Sequence, residues 1–422
     1  MIEKIKGSSF LKNILLLVSG TAVAQLIPIA ISPILTRLYL PASFGILMVY
    51  VSVLSILGVV ATGRYEKAVI IPPQKETARQ LVLLTQILIF SFCIILALLN
   101  FFFGASILQA IRTDALIPYS WLLIIGIFFL ASDQTYYHWA NRLSAYKRMS
   151  ISKVFNNLSS GVSSIIFGIF QMEALGLIYS KLLGICSSFL VNLQTFSFSN
   201  FKAIRFQEIK STALEYFKFP VFLMPSHLMN ALSTNGPPII LTMYYSETEV
   251  GWFALTQRVI MVPVSIIARS VGDVFRQKAT EMYNTKGSYR ALYLKTLGGL
   301  AAVGLIPFTI LILFAPYLFS LIFGAQWEQS GEYAQILAIL FIFQFTTSPL
   351  TNAFIISGKQ QLEFVWQIVF LISSLLPIVI GFYFFDNIQQ TLLLFAVCRA
   401  ASYLLSIFLT LPFTVKKDHV GV

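Results

Sequence analysis

Apolar residues run through the 422-residue chain in stretches of about twenty, divided by short polar connections. A helix rises about 1.5 Å per residue, so such a stretch matches the roughly 30 Å hydrocarbon layer of a bilayer. Twelve stretches qualify as spanning helices: 13–36, 44–62, 80–103, 117–137, 154–170, 174–196, 219–243, 252–271, 296–322, 334–356, 364–385 and 390–413. The fifth is short and joins the sixth through Gln171-Met172-Glu173-Ala174 alone. The runs are continuous rather than alternating, which argues against a transmembrane β-barrel. The pattern predicts an all-α polytopic membrane protein.

Lysine and arginine set its sidedness. Of 29 such residues, 23 lie on the N-terminus, the even-numbered connections and the C-terminus. Arg37 and Arg112 alone lie on the opposite side, and the remaining four fall inside spans. Positive residues stay in the cytoplasm, so both termini are expected there. A missed or false span would have scrambled this parity. The basic opening MIEKIKGSSFLKN therefore leads into a first span rather than a cleaved signal peptide.

Composition narrows the function. Charged residues are 11 % and hydrophobic residues 57 %, with mean hydropathy +0.81. That is too little charge to cover a soluble protein, where about 25 % is usual. The net charge of +12 sits in loops between spans, a topology signal and not a nucleic-acid surface. Cys93, Cys186 and Cys398 are scattered inside apolar runs, so no disulfide or metal site is expected. The sequence carries no Walker A loop, HExxH helix, paired-carboxylate loop or nucleophilic triad. No cofactor, ATPase engine or nucleophilic catalysis is expected.

The chain reads as two halves. Residues 1–196 form an N-lobe of six spans, 197–218 a cytoplasmic linker, and 219–422 a C-lobe of six. In the linker, Phe201, Ile204, Ile209 and Leu214 alternate with basic residues, as in a helix lying on a membrane surface or a simple solvated linker. LTRLYLPASFG (35–45) and LTMYYSETEVG (241–251) align at an offset of 206, sharing Leu, Thr, Tyr and Gly. Each closes an odd-numbered span and opens the next. Each follows prolines that disturb its helix, Pro28 and Pro33 in the first span, Pro237 and Pro238 in the seventh. Six intervening spans give both copies one orientation, a parallel pseudo-repeat.

Ionisable residues inside spans are costly and mark function. Lys181, Arg258, Arg269 and Arg399 lie within spans, and Arg64 at the inner end of the second. They face one interior acid, Asp133. Ion pairing cannot neutralise that set, so a hydrated cationic cavity for an anionic substrate is expected. Guanidinium forks match phosphate oxygens. Arg258, Arg399, Lys181, Arg269 and Arg64 are the candidate substrate-binding residues. Asp133 and the four prolines are candidates for coupling or gating. His138 reads as a loop or interface residue.

SGTAVAQLIPIAISPILTRLYLPASFGILMVYVSVLSILGVVATGRYEKAVIIP (19–72), with its LTRLY-P-x-x-FG and TGRYE-x-A-x-x-x-P stretches, resembles the opening of polysaccharide-biosynthesis flippases. These are Wzx-type translocases of the multidrug/oligosaccharidyl-lipid/polysaccharide (MOP) exporter superfamily. FGAQWEQSGEYAQILA (323–338) resembles the turn before their tenth span. The resemblance implies a MATE-like fold of twelve helices in two lobes. It implies a flippase that moves undecaprenyl-diphosphate-linked repeat units of O-antigen, capsule or exopolysaccharide across the bacterial inner membrane. Membrane lipid, a polysaccharide polymerase and a chain-length regulator would be its partners, with H+ or Na+ as coupling ion. The alternatives are a multidrug exporter or a lipid II or teichoic-unit exporter of the same superfamily, and after these a membrane polysaccharide polymerase.

Overall fold

The computed structural model describes residues 20–21, 23–197, 206–385 and 387–416, and these are almost wholly helical. In chain order the first eight helices are α1 (Val23–Leu38), α2 (Pro41–Thr62), α3 (Tyr65–Ala68), α4 (Lys75–Ala110), α5 (Ser120–Arg142), α6 (Tyr146–Ile169), α7 (Glu173–Leu193) and α8 (Phe206–Glu215). Then come α9 (Met224–Tyr244), α10 (Glu247–Lys286), α11 (Arg290–Phe323), α12 (Glu328–Thr347), α13 (Ala353–Ile356), α14 (Gln360–Phe384) and α15 (Ile388–Thr410). Among the described residues, a helix stands at each of the twelve expected spans. Nine helical segments among the described residues are long and apolar enough to cross a membrane. The helices at spans one, five and seven (α1, α6 and α9) fall outside that set. In α6 the cause is a run of serines, asparagines and lysines.

The chain divides into two compact units, Met1–Met243 and Tyr244–Val422. In the first unit, Leu40 precedes a proline at the first position of α2, where its missing N–H costs nothing. Gly63 ends α2 in the left-handed conformation at φ +54°. Tyr39 of the LTRLY stretch is buried and donates to the Ser164 carbonyl of α6 at 2.7 Å. Gly168 and Gly176 leave the room for its ring. In the second unit, α10 opens on a capping box in which the Ser246 hydroxyl and Glu249 carboxylate each bond the other's backbone N–H. There Tyr245, the repeat partner of Tyr39, bonds the Thr391 hydroxyl at 2.7 Å. Gly176 and Thr391 each stand three residues into the last span of their half, although Tyr39 bonds the fifth span and Tyr245 the sixth. Tyr39→Phe strands none of the carbonyl's helical bonding and removes one buried hydrogen bond. It is expected to lower stability by about 1 kcal/mol, seen as a lower melting temperature in detergent.

Two connections differ from the hydropathy reading. The polar stretch after the eighth span is helical to Lys286, because Phe275 and Ala279 are buried against the rest of the unit while its polar side chains stay exposed and its backbone continues the α10 ladder. The linker contains α8, which buries Ile209 and Thr212 and leaves Phe206 and Leu214 exposed. It is tied to α4 by Thr212 donating to Gln80 at 2.7 Å and Gln80 to Glu208 at 3.2 Å. Phe201 and Ile204 lie outside the described residues.

Candidate functional site

The TGRYE stretch builds the centre of the site. Gly63 and Arg64 are both left-handed, at φ +54° and +62°. For arginine this costs about 1–2 kcal/mol, since Cβ crowds the carbonyl. The turn is held by local bonds. The Arg64 N–H donates to the Thr62 hydroxyl at 3.3 Å, and Arg64 Nη1 to Glu66 Oε1 at 3.1 Å. Tyr65 donates to the Ala213 carbonyl of α8 at 3.0 Å. Arg142, at the end of α5, donates to the carbonyls of Val69, Ile70, Pro73 and Gln74 at 3.2–3.4 Å, pinning the segment that follows.

This turn forms one wall of a cavity of about 460 Å³ inside the first unit. Arg64 and Lys67 enter from the turn, Gln25 from α1 and Ser188 from α7. α5 supplies Asp133, Gln134, Tyr137 and His138, and α6 supplies Ser152, Lys153, Asn156 and Asn157. Both helices use the spacing i, i+1, i+4, i+5, which keeps four residues on one face. Lys153 donates to Thr21 at 3.2 Å, and its ammonium lies 5.3 Å from the centre of the Tyr137 ring. Asp133 accepts from Ser188 at 2.9 and 3.0 Å and from Asn192 at 2.7 Å. Burial pulls the Lys67 ammonium below its usual range, partly offset by Glu66. Three cations and one carboxylate thus line a polar hollow, with Glu66 behind Arg64. That arrangement suits a multivalent anion carrying hydroxyl-rich groups.

Arg64 and Asp133 come together as lining residues of this cavity. Lys181 stands half-buried on α7, seven residues before Ser188, and is not among them. The other three cations lie in the second unit. Arg269 lines a separate hollow of about 320 Å³ with Asp273, Gln344 and Asn352. Arg258 is half-buried on α10. Arg399 is buried, bonded to the Ser374 hydroxyl and stacked 3.8 Å from the centre of the Phe370 ring. Pro28 and Pro33 lie in α1, Pro237 and Pro238 in α9, which runs through them unbroken. His138, expected at an interface, faces the cavity. Lys67, Lys153 and the amides were not singled out by the sequence reading. The four-residue polar face repeated in SDQTYYH and SKVFNN was the signal for Lys153 and the amides of those two helices, and it does not reach Lys67. Among the described residues, no group of three His, Cys, Asp or Glu is placed to hold a metal ion.

Known proteins fit this picture. The chain is similar to the lipid II flippase MurJ in an inward closed conformation, at TM-score 0.70 and 12 % identity over 94 % of this chain and 86 % of that one. It is also similar to an inward-facing multidrug resistance MATE family transporter of the MOP superfamily, at TM-score 0.59 and 14 % identity over 94 % of both chains. These likenesses establish the fold. Among curated proteins it matches the teichuronic acid biosynthesis protein TuaB of Bacillus subtilis (strain 168), 22 % identical over 157 residues. That match spans 36 % of this chain and 32 % of the relative's length. The chain is a multi-pass membrane protein with the fold of these transporters. The family described as polysaccharide biosynthesis protein matches residues 34–332, so the TGRYE turn and its cavity are those of a member, and the chain belongs to that family.

Proposed function

We propose that this chain is a flippase of the bacterial inner membrane that moves an oligosaccharide on undecaprenyl diphosphate from the cytoplasmic to the outer leaflet. The observation that carries the reading is the polar cavity of the first unit, where Arg64, Lys67 and Lys153 face the one carboxylate of Asp133. A diphosphate would dock on the three cations, and the sugars would meet Gln25, Gln134, Asn156 and Asn157. The polyprenyl tail stays in lipid. Lys181, Arg258 and Arg269 are proposed as further cationic positions along the route. Arg399 adds charge rather than a free fork, because Ser374 and Phe370 already engage it. The lobes are taken as 1–196 and 219–422 joined by 197–218, rocking on the proline-bearing first and seventh spans. The exported unit would pass to a polymerase and its chain-length regulator. Asp133 is the candidate for coupling to H+ or Na+. A multidrug exporter for cationic compounds fits less well, since such cargo needs carboxylates where this cavity has cations.

Complementation tests the reading. A bacterial host lacking its own repeat-unit flippase and expressing this chain is expected to regain surface polysaccharide. Absence of surface glycan in several hosts with different repeat units, despite membrane expression of the chain, would sink it.

A further inference from the structure

Glu66 is wholly buried beside Arg64, yet their ion pair is only half made. Glu66 Oε1 accepts from Arg64 Nη1 at 3.1 Å, while Glu66 Oε2 and Arg64 Nε are buried with no hydrogen-bond partner. A guanidinium and a carboxylate with room to align close two parallel bonds. Here the left-handed backbone of Arg64, at φ +62°, holds the fork askew. A strained conformation persists only where its surroundings impose it, and such strain gathers at switching sites. Arg64 also stands on the cavity wall with Lys67 and Lys153, while Glu66 is wholly buried outside that lining.

We propose that Glu66 is a tethered anion that occupies Arg64 while the cavity is empty and is displaced by the diphosphate of the incoming substrate. The proposal rests on reading this cavity as the diphosphate site. An empty hollow with three cations repels itself, and an internal carboxylate lowers that cost. A diphosphate brings more charge and more acceptor atoms, and it satisfies the fork that Glu66 leaves half used. Removing a partner from a buried ion ordinarily strands the other. When the diphosphate takes Arg64 the guanidinium stays beside Glu66, and Lys67, its chain neighbour, offsets part of that cost. Internal competition weakens the apparent affinity by the fraction of time the site is blocked. It also holds the cavity poised to release cargo, because the carboxylate can retake Arg64 as the diphosphate leaves.

The test is binding of inorganic diphosphate to the purified full chain in detergent, by titration calorimetry. Glu66→Gln keeps shape and removes the competing charge, and it is expected to bind about tenfold more tightly than wild type, a modest share of a charge-assisted bond. Glu66→Asp, with a shorter reach to Arg64, is expected to shift affinity in the same direction by less, and it stands in if the glutamine variant does not fold. A Glu66 that merely supports the turn predicts the opposite, weaker binding in both variants. Loss of binding in Arg64→Ala together with unchanged or weaker binding in Glu66→Gln overturns the tethered anion and leaves the diphosphate site standing. Undiminished binding in Arg64→Ala, or no binding by any of the chains, overturns the site itself.

Discussion

Arg64→Ala is expected to abolish surface polysaccharide in the complemented host. Among the described residues it supplies the one guanidinium on the cavity of the first unit, and Lys67 and Lys153 are point charges without a fork. Losing two charge-assisted hydrogen bonds to a diphosphate costs about 3 kcal/mol, which weakens binding roughly a hundredfold. The substitution has a second effect that must be separated from the first. It leaves Glu66 buried without its countercharge, and breaking a buried ion pair from one side destabilises by about 3–5 kcal/mol. Alanine also keeps the left-handed strain at this position. The double variant Arg64→Ala/Glu66→Gln removes both charges, so it should recover the protein level of wild type and still carry no polysaccharide to the surface. Immunoblotting of membranes beside surface-glycan staining reads both. If the double variant is present at full level and the polymer returns, Arg64 serves only the turn. Arg64→Lys is expected to fall between, since it keeps the charge and loses the fork.

Much of this architecture is legible in the sequence because a bilayer imposes length and polarity together. Among the described residues each of the twelve apolar runs has its helix, and the tyrosine shared by LTRLY and LTMYY bonds another helix of its own half in each case. What hydropathy misses is any helix that leaves the membrane. The end of α10 is polar, so a window tuned to lipid stops near 271 although the backbone ladder continues to Lys286. The site was half legible for a related reason. Arg64 and Asp133 stand out because charge at the edge or inside of a span is costly. Lys67 and Lys153 look like ordinary cytoplasmic positives, and only the rotation of α3 and α6 turns them onto a cavity wall. Rotation also decides Arg399. Its depth in the sequence marks it as exceptional, but its ring and hydroxyl neighbours come from α14, and no spacing within the twelfth span announces them. The family-like motifs prove to be largely mechanical. LTRLY seats a buried tyrosine, and TGRYE needs its glycine to start a left-handed pair. FGAQW turns a corner at Gly324, where φ is +107°. The charged side chains they bring to the cavity of the first unit are Arg64 and Lys67.

Gly331→Ala is expected to be among the most damaging single-methyl changes in the second unit. α12 starts just after the buried Trp327, and two bonds fix its first turn: Trp252 donates to the Gln326 carbonyl at 2.9 Å and Thr256 to the Ser330 carbonyl at 2.6 Å. With that turn held, Gly331 lies against the backbone of α11. A Cβ there would overlap the Pro316 Cα and nitrogen and the Ala315 carbonyl oxygen. Backbone atoms cannot rotate aside as a flexible side chain would, so the helices must separate. Separation costs packing along the whole α11–α12 contact, and small residues are what allow helices in a membrane to approach so closely. Overpacking of this kind costs about 1–3 kcal/mol, and more when the larger leucine is placed there. Gly298→Ala on α11 is the matched control, because nothing lies within 4 Å of its added methyl. Alanine favours a helix over glycine by about 0.5–1 kcal/mol, so that variant should be neutral or slightly more stable. Thermal unfolding of the two purified variants in one detergent compares them directly. A melting temperature for Gly331→Ala at or above that of Gly298→Ala would show that α11 and α12 have room to spare, and the tight helix contact described here would be wrong.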